Sequence, residues 1–471
     1  MICDHDTIAA PATAAGGALA VIRVSGGNAL TICDRIFRGS APLADAGGYT
    51  VHYGHIMADG RTLDDVLVTV FRAPRSYTGE DAAEISCHGS QYIVSETLRL
   101  LTAAGARMAQ PGEFTIRAYL AGKLDLSQAE AVADIIASSS RASHALAANQ
   151  MRGGYSAAFD TLREKLLHLT SQLELELDFS EEEVEFADRT QLRDTMRQIK
   201  ERIDALRSSF SLGNAIKEGV AVAIVGKSTL LNRLLNEERA MVSDIAGTTR
   251  DVIEERANID GIVFRFLDTA GIRSTNDTLE QMGIARTMSS IERAQIIIRL
   301  IDASQPAVPV SGGSPSSGQT GRKSAPAVAS ADSAADTPSP NFPLRPDQTL
   351  LTVYNKIDKT PRFALPEGAV GISARNGDGI DDLRRILRDA VDTEALYHGG
   401  TVISNNRHYE ALTSASEALS AALDGLRDNL PTDLLSEEIR QVIRHLSGVT
   451  GQDIVPEEVL KTIFSKFCIG K

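Results

Sequence analysis

The chain is poor in cysteine, in positive charge and in long apolar runs, and each shortage excludes a class of protein. Its 4 cysteines are scattered, without the spacing of a disulfide framework or a zinc site. No run approaches the roughly 20 apolar residues that a membrane-spanning helix needs. The acidic start lacks the basic and apolar stretches of a signal peptide. We therefore expect a cytoplasmic protein with no membrane partner.

Acidic residues outnumber basic ones, 62 to 48, which gives a net charge of −14. A bare electrostatic binder of nucleic acid needs clustered Lys and Arg to neutralise phosphates, so the composition argues against that class. Any contact with RNA must be local or shared with a partner. The length of 471 residues predicts about two to four domains.

The hydrophobic pattern divides the chain. Residues 1–121 mix strands, such as 20–24 and 66–71, with helices, which predicts an α/β or α+β module. Residues 122–214 are helical and begin at a capping box, with Ser127 as the N-cap and Glu130 three positions on. Their apolar residues recur every three or four positions: Leu162, Leu166, Leu169, Leu173, Leu192, Met196, Ile199, Ile203, Leu206 and Phe210.

Strands and helices alternate in residues 215–392, which predicts a mainly parallel sheet covered by helices. The predicted strands are 220–225, 262–267, 296–301, 350–354 and 370–372. Residues 304–345 are rich in Ser, Ala, Pro and Gly and predict a disordered surface insertion. Residues 393–471 are helical again. The simplest architecture is an α/β domain inserted into a discontinuous helical domain, behind an N-terminal module.

Four motifs occur in the order that a Ras-like GTPase domain requires, each where a predicted strand ends. They are Gly226-Lys227-Ser228-Thr229, Asp268-Thr269-Ala270-Gly271, Asn355-Lys356-Ile357-Asp358 and Ser373-Ala374. Any one of them alone is a weak signal, because a strand-end turn produces the same letters. Together and in order they predict a GTP-binding site.

Each motif supplies a different part of that site. We expect Lys227 on the β- and γ-phosphates and the Ser228 hydroxyl on Mg²⁺, with Asp268 holding the shell of the ion. The Asp358 carboxylate can accept two hydrogen bonds from guanine, which selects guanine over adenine. The backbone N–H that follows Ser373 would support the guanine oxygen.

The loop between the first two motifs supplies Thr249, which is placed to give Mg²⁺ a second hydroxyl ligand. Ile272 stands where many GTPases carry a water-orienting Gln, so catalysis needs another group. Glu280 lies in a segment that could fold back over the site, and a carboxylate can orient water. On the sequence alone, an exposed helical glutamate is the simpler interpretation of Glu280.

Several longer stretches are more specific than the GTPase motifs. They are residues 76–81 (SYTGED), 111–114 (PGEF), 123–131 (KLDLSQAEA), 247–251 (GTTRD) and 464–471 (FSKFCIGK). On these residues the chain resembles the MnmE family, also called TrmE, along nearly its whole length outside 304–345. The resemblance implies a homodimeric GTPase that forms a heterotetramer with the flavoprotein MnmG, which carries FAD. It also implies addition of an aminomethyl or carboxymethylaminomethyl group to C5 of the wobble uridine, U34, of certain tRNAs.

The resemblance further implies which residues bind cofactors. The N-terminal module would bind 5,10-methylene- or 5-formyl-tetrahydrofolate and form the dimer, with Arg23, Glu80, Lys123 and Lys471 at the folate-contacting positions. Potassium would take the place of an arginine finger. A loop matching Ser243, Ile245 and Thr248 would hold the ion, and Ser243 and Thr248 would also contact GTP. Glu280 matches the catalytic glutamate of the family. The role of Cys468, the donor (ammonium or glycine) and the tRNAs modified stay open.

The chain departs from the family at the phosphate-binding loop. A P-loop places four residues between its first Gly and the Gly-Lys pair, but here Ala221 occupies the first position and only strand residues precede Gly226. About five residues, including a potassium-binding Asn, are missing. Three explanations are open: the strand keeps its length and the phosphate cradle is lost, the end of the strand unravels into a loop, or the gene sequence carries an error.

Three functions therefore compete. The first is an active tRNA-modifying GTPase. The second is a folate-binding scaffold of the same complex whose shortened P-loop impairs GTP binding. The third, a ribosome-assembly GTPase, shares the GTPase motifs, but the N-terminal module and the Cys-Ile-Gly-Lys ending argue against it.

Overall fold

A computed structural model of the chain describes residues 6–14, 16–178, 189–225, 230–231, 234, 254–267, 288–304, 344–391, 400–452, 457–465, 467 and 470. These residues fall into two compact units. The first unit comprises 1–137, 147–204 and 410–471, and the second comprises 138–146 and 205–409. Both units join segments that are remote in sequence. None of the helices in the described ranges combines the length and the apolar character that a bilayer crossing requires.

The first unit is built on a 7-stranded sheet. Its strands pair antiparallel, except that the strand that comes first in the chain pairs parallel with the one that comes last. The strands are β1 (Ile8–Pro11), β2 (Leu19–Ser25), β3 (Phe37–Gly39), β4 (Thr50–Ala58), β5 (Arg61–Phe71), β6 (Ala82–His88) and β7 (Arg107–Met108), in the order β3-β4-β5-β6-β2-β1-β7. Helices α1 (Ala29–Ile36) and α2 (Gln91–Ala103) pack on this sheet. Of the two interpretations that the sequence allows, this is the α+β arrangement.

Helices make up the rest of the first unit and extend into the second. Their bounds are α3 (Glu113–Leu120), α4 (Leu126–Ala137), α5 (Arg141–Met151), α6 (Gly154–Asp178), α7 (Arg189–Ser208), α8 (Phe210–Glu218), α10 (Asn406–Arg427), α11 (Thr432–Thr450) and α12 (Glu457–Phe464), with α9 (Ile380–Asp389) in the second unit. Helix α6 packs along α11 although some 250 residues separate them. The predicted discontinuous helical domain is therefore present.

Two local predictions about these helices are wrong. The capping box of α4 is formed by Asp125 and Gln128: the Gln128 N–H donates to Asp125 Oδ1 at 2.8 Å, and the Asp125 N–H donates to Gln128 Oε1 at 2.9 Å. Ser127 lies inside the helix and accepts from the Gln150 side chain, because an Asp two positions earlier already caps the helix. Phe210 does not continue α7 but begins α8, where it stacks on Tyr409 at a centroid distance of 4.6 Å.

The second unit contains the predicted mainly parallel sheet. Its strands are β8 (Val220–Val225), β9 (Glu254–Ile259), β10 (Ile262–Leu267), β11 (Ile296–Asp302), β12 (Thr349–Asn355) and β13 (Val370–Ile372), in the order β13-β12-β11-β8-β10-β9. All five predicted strands are confirmed. The sequence pattern did not predict β9, an antiparallel edge strand that carries several charged residues. Residues 305–343, most of the predicted insertion, and the acidic segment 180–185 lie outside the described residues.

Candidate functional site

The carboxyl ends of the parallel strands of the second unit meet at one edge of the sheet, where open α/β sheets bind ligands. In the registers of β11, β12 and β13, Asp302 lies beside Asn355, and Asn355 lies beside Ile372. The predicted guanine-reading residues of the third and fourth motifs are therefore neighbours in space. We call this group of strand ends the sheet edge.

Asn355 joins the loops that follow two neighbouring strands. Its side chain is buried, and its Oδ1 accepts the backbone N–H of Lys356 at 2.8 Å and that of Ala374 at 3.0 Å. Lys356 has a φ of +69°, a left-handed conformation that is uncommon for a residue with a side chain. The hydrogen bond that its N–H donates to Asn355 stabilises it there. The Ala374 N–H, which we expected at the guanine oxygen, donates to Asn355 in this structure.

Asp358 presents its carboxylate at the exposed side of the sheet edge. The hydroxyl of Ser373, which is fully buried, donates to Asp358 Oδ1 at 2.7 Å. Ser373 is fixed in turn, because its backbone N–H donates to the Asp378 carbonyl at 2.9 Å and its Oγ accepts the Asn376 N–H at 3.2 Å. The Asp358 carboxylate is therefore held in one orientation while it remains accessible to a ligand.

The sequence reading did not single out Asp302 and Ser304 at this edge. The Lys356 ammonium donates to Asp302 Oδ2, and the Ser304 N–H donates to Asp302 Oδ1 at 3.0 Å. Hydrogen bonds from Lys356 and then Ser304 lower the pKa of Asp302 to about 2. The signal that could have found Asp302 is an acid directly after a predicted buried strand, at the same end as the motif residues.

The phosphate and metal side of the site lies outside the described residues. This holds for Gly226, Lys227, Ser228, Thr229, Ser243, Ile245, Thr248, Thr249, Asp268, Thr269, Ala270, Gly271 and Glu280. The strand that precedes them is described up to its end: β8 pairs with β10 and β11, and its last residue, Val225, pairs with Arg299. Ala221, at the position of the first P-loop glycine, lies inside this strand.

A second group of predicted residues meets on the 7-stranded sheet. Arg23 of β2 lies opposite Glu84 of β6, and its Nε and Nη2 donate to Glu84 Oε1 at 2.9 and 2.8 Å. The guanidinium also lies over the rings of Tyr77 and Phe114, at 5.2 and 5.6 Å from their centroids, within the range of a cation–π interaction. Arg23 is thus fixed by partners on β6, in the 76–81 loop and in α3.

Glu80 belongs to the same loop as Tyr77. Its Oε2 accepts from the Ser25 hydroxyl at 2.8 Å, and its Oε1 accepts from Arg117 Nη1 at 3.1 Å. Ser25 in turn shares a buried 2.7 Å hydrogen bond with the hydroxyl of Thr78. Neither Ser25 nor Arg117 was singled out from the sequence, because 55 and 37 positions separate them from Glu80.

Arg117 is part of a charged network beneath this site. It also donates to Asp6 and Glu113, and Arg107 donates to the same two carboxylates at 2.6 Å. Burial alone would raise the pKa of Glu113, but hydrogen bonds from Arg107, the Gln110 N–H and Arg117 outweigh it, so that this pKa is lowered. The pKa of Asp6 is lowered chiefly by its hydrogen bond from Arg107. Both acids are therefore held as carboxylates.

The remaining predicted folate residues lie close to this group or outside the described residues. Gly79 has a φ of +82°, and a Cβ built on it would lie 3.6 Å from Lys123 Cε, so the exposed Lys123 is next to the 76–81 loop. The carbonyl of Gly470 accepts from Arg23 Nη1 at 3.4 Å. A Cβ on Gly470 would lie 2.1 Å from the Pro11 oxygen, so only glycine fits there. Lys471 and Cys468 lie outside the described residues.

Comparisons with known proteins agree along the chain. The family model of the MnmE helical domain matches residues 126–468, and that of the N-terminus of the GTP-binding protein TrmE matches residues 7–123. The chain is 47% identical to the tRNA modification GTPase MnmE of Bacteroides fragilis, over 99% of this chain and 100% of that protein. It is 47% identical to the tRNA modification GTPase MnmE of Cytophaga hutchinsonii, over 99% and 98%.

Among solved structures, one of Aquifex aeolicus Era bound to GDP·AlF4⁻ is 24% identical and covers 42% of this chain and 65% of its own, with a TM-score of 0.22. Another, of Era with MgGDPNP and a fragment of 16S ribosomal RNA, is 26% identical over the same shares, with a TM-score of 0.23. Superpositions this weak carry no structural argument.

Proposed function

Because the chain belongs to the MnmE family, we propose that it is a GTP-hydrolysing protein that modifies tRNA. The observation that carries the GTP half is the sheet edge: an exposed Asp358 carboxylate, oriented by Ser373, beside a loop that Asn355 clamps. A carboxylate fixed in this way can accept two N–H donors from guanine and none from the corresponding edge of adenine. The tRNA half follows from the names of relatives that match nearly the whole chain.

Titration of the purified full-length chain with a fluorescent GDP analogue tests the GTP half. We expect binding near micromolar and no comparable binding of the ADP analogue. Hydrolysis of GTP, assayed in potassium and in sodium, should be faster in potassium if Ser243, Ile245 and Thr248 hold that ion.

Hydroxyl and carboxylate oxygens, such as those of Ser228, Thr249 and Asp268, suit Mg²⁺. Glu280 is the proposed catalytic group.

The alternative, a scaffold with impaired GTP binding, gains no support from the comparisons, since its relatives are named as GTPases. The reason for considering this alternative was the small number of residues between β8 and Lys227 in the sequence. Absence of GDP binding at about 1 mM analogue would favour the scaffold, and near-micromolar binding would exclude it.

We further propose that the Arg23 and Glu80 region binds a tetrahydrofolate one-carbon donor, either 5,10-methylene- or 5-formyl-tetrahydrofolate. The residues fit such a ligand, because Glu80 offers a carboxylate to pterin N–H groups and the partly exposed ring of Tyr77 can pack on the flat pterin ring. Arg23 is already paired with Glu84, which leaves Lys123 and Lys471 as the better candidates for the glutamate carboxylates of folate. Calorimetry with 5-formyl-tetrahydrofolate, on the wild-type chain and on Glu80→Gln, tests this site.

We propose that the chain acts as a homodimer through the outer face of its 7-stranded sheet. Large apolar side chains are exposed there: Val51 and Tyr53 on β4, Leu67 on the neighbouring β5, and Leu19 on β2, which β6 separates from β5. Tyr53 and Leu67 lie directly opposite each other and are 61% and 47% exposed. An exposed apolar cluster of this kind is typical of an interface. In sedimentation, the wild-type chain should behave as a dimer and the Leu67→Glu variant as a monomer.

The reaction that we propose is the addition of an aminomethyl or carboxymethylaminomethyl group to C5 of U34, in a heterotetramer with MnmG, which brings FAD. We propose that the chain carries out this reaction in the cytoplasm. Mass analysis of wobble uridines from a deletion strain complemented with this chain tests the assignment. Unmodified U34 despite normal expression of the chain and of MnmG would contradict it.

A further inference from the structure

Asp302 occupies a place at the sheet edge that none of the GTPase motifs assigns. It is the last residue of β11 and lies in register with Asn355, the last residue of β12. The backbones at this point are joined, because the Ala303 N–H donates to the Asn355 carbonyl at 2.9 Å. The Asp302 side chain is therefore presented by a rigid pair of strands, beside the guanine-reading loop.

Both oxygens of this carboxylate are engaged. Oδ2 pairs with the Lys356 ammonium, and Oδ1 accepts the Ser304 N–H at 3.0 Å and the Ser304 hydroxyl at 2.5 Å. Ser304 thereby orients the carboxylate toward Lys356. The side chain of Asp302 is 22% exposed and that of Lys356 is 45% exposed, so the pair faces a region that a ligand can reach.

Lys356 is consequently held at both ends. Asn355 fixes its backbone in the left-handed conformation, and Asp302 fixes its ammonium. The methylene groups between these two points present an apolar strip on the same loop as Asp358. A flat purine ring whose N–H groups bond to Asp358 can pack on such a strip, as long cationic side chains commonly cover apolar surface.

We propose that Asp302 is a positioning residue for guanine nucleotides, which acts by holding Lys356 along the face of the base. This inference rests on the proposed GTP binding. A half-exposed ion pair contributes little to folding stability, so a purely structural role would give Asp302 almost no effect on nucleotide affinity. A positioning role instead predicts a loss of affinity that depends on Lys356.

The test is a fluorescent GDP titration of the full-length Asp302→Asn variant, which keeps the shape and removes the charge. We expect affinity to fall roughly five- to tenfold, equally for GDP and GTP because the contact is on the base side, with an unchanged melting temperature without nucleotide. Asp347→Asn is the matched control. Asp347 is an exposed acid that pairs with Arg345, and its replacement changes the net charge by the same amount.

A double-mutant cycle with Lys356→Met separates positioning from other effects. If Asp302 acts through Lys356, the double variant binds GDP as Lys356→Met does alone. Three results would each overturn the proposal. The losses of GDP affinity in the two single variants could be fully additive, Asp302→Asn could bind GDP within twofold of wild type, or its melting temperature could fall in step with its affinity. Absence of GDP binding by the wild-type chain would overturn the proposed GTP function itself, an outcome distinct from these three.

Discussion

The sheet edge takes its polar residues from residues 302–374 of the chain, whereas the charged network of the first unit takes them from residues 6–117. At the sheet edge, hydrogen bonds between neighbouring loops orient a few exposed groups. In the network, the buried Arg117 pairs with Asp6, Glu80 and Glu113 across the fold. We expect that the exposed groups of the sheet edge can be altered with little cost to folding. We expect the network to stabilise the unit, so that binding and stability are coupled there.

The substitution with the largest expected effect on this difference between the two regions is Arg117→Met. Arg117 is 6% exposed and pairs with Asp6, Glu80 and Glu113, so its loss removes the buried cation of the network and leaves the buried Glu113 with Arg107 as its remaining ion-pair partner. We expect the first unit to lose about 3 kcal/mol of unfolding free energy. Native-state hydrogen exchange of peptides from β2 and β6 measures it. Arg99→Met, which removes an exposed arginine paired with Glu96, is the control and should leave exchange unchanged. Unaltered exchange in Arg117→Met would mean that the network does not stabilise the sheet.

The corresponding change at the sheet edge is Asp358→Asn. It removes two charge-assisted hydrogen bonds to guanine, each worth about 1.5 kcal/mol or more, so GDP affinity should fall at least ~100-fold. Because Asp358 is exposed, the exchange of β12 should not change. The exposed Asp389→Asn serves as control. A loss of affinity of less than about threefold in the titration would remove Asp358 from the site.

Acidification should weaken the charged network of the first unit. The pKa values of Asp6 and Glu113 are lowered in the folded chain, so their contribution to stability is present above the ordinary carboxyl range near pH 4 and is lost as the pH falls through the folded values. We expect the free energy of unfolding of the first unit to decrease as the pH falls below roughly 5, with the contribution of the partly exposed Asp6 reduced by solvent. Hydrogen exchange of β2, measured as the pH is lowered, tests this. An equal loss in Arg107→Met, which removes the main cause of both lowered pKa values, would exclude the network as the cause.

The smallest expected effect is that of Ser25→Ala. It removes the 2.8 Å hydrogen bond to Glu80 but leaves the bond from Arg117, so tetrahydrofolate affinity should fall about three- to fivefold. Calorimetry with 5-formyl-tetrahydrofolate measures the loss, and the exposed Ser95→Ala is the matched control. If Ser25→Ala binds like wild type, Arg117 alone positions Glu80.

The sheet edge was largely predictable because its parts are local. Buried β-branched runs identified β8, β11 and β12, and the rule that parallel strands end at one edge brought Asn355, Asp358 and Ser373 together. Strand β9 escaped prediction because an edge strand such as Glu254–Ile259 buries only some of its residues and carries charge on the others. Asp302 escaped it because a single acid after a strand resembles an ordinary turn.

The residues proposed to contact folate followed from resemblance alone, and their partners could not be predicted from the sequence. Glu84 pairs with Arg23 across 61 positions, and Arg117 reaches Asp6 across 111. A lone charge carries no periodic signal that indicates its partner. Only the register of β2 against β6, and the position of α3, decide which of many acids each arginine meets.

The contact between Arg23 and Gly470 has a consequence for the timing of synthesis. The two residues are 447 positions apart, while the N-terminal family match is complete by residue 123. At about 5–20 residues per second, the ribosome needs on the order of 20 to 70 seconds more to reach residue 470. During that interval Arg23 lacks the Gly470 carbonyl that accepts its hydrogen bond. A chain released early would therefore carry Arg23 without this partner.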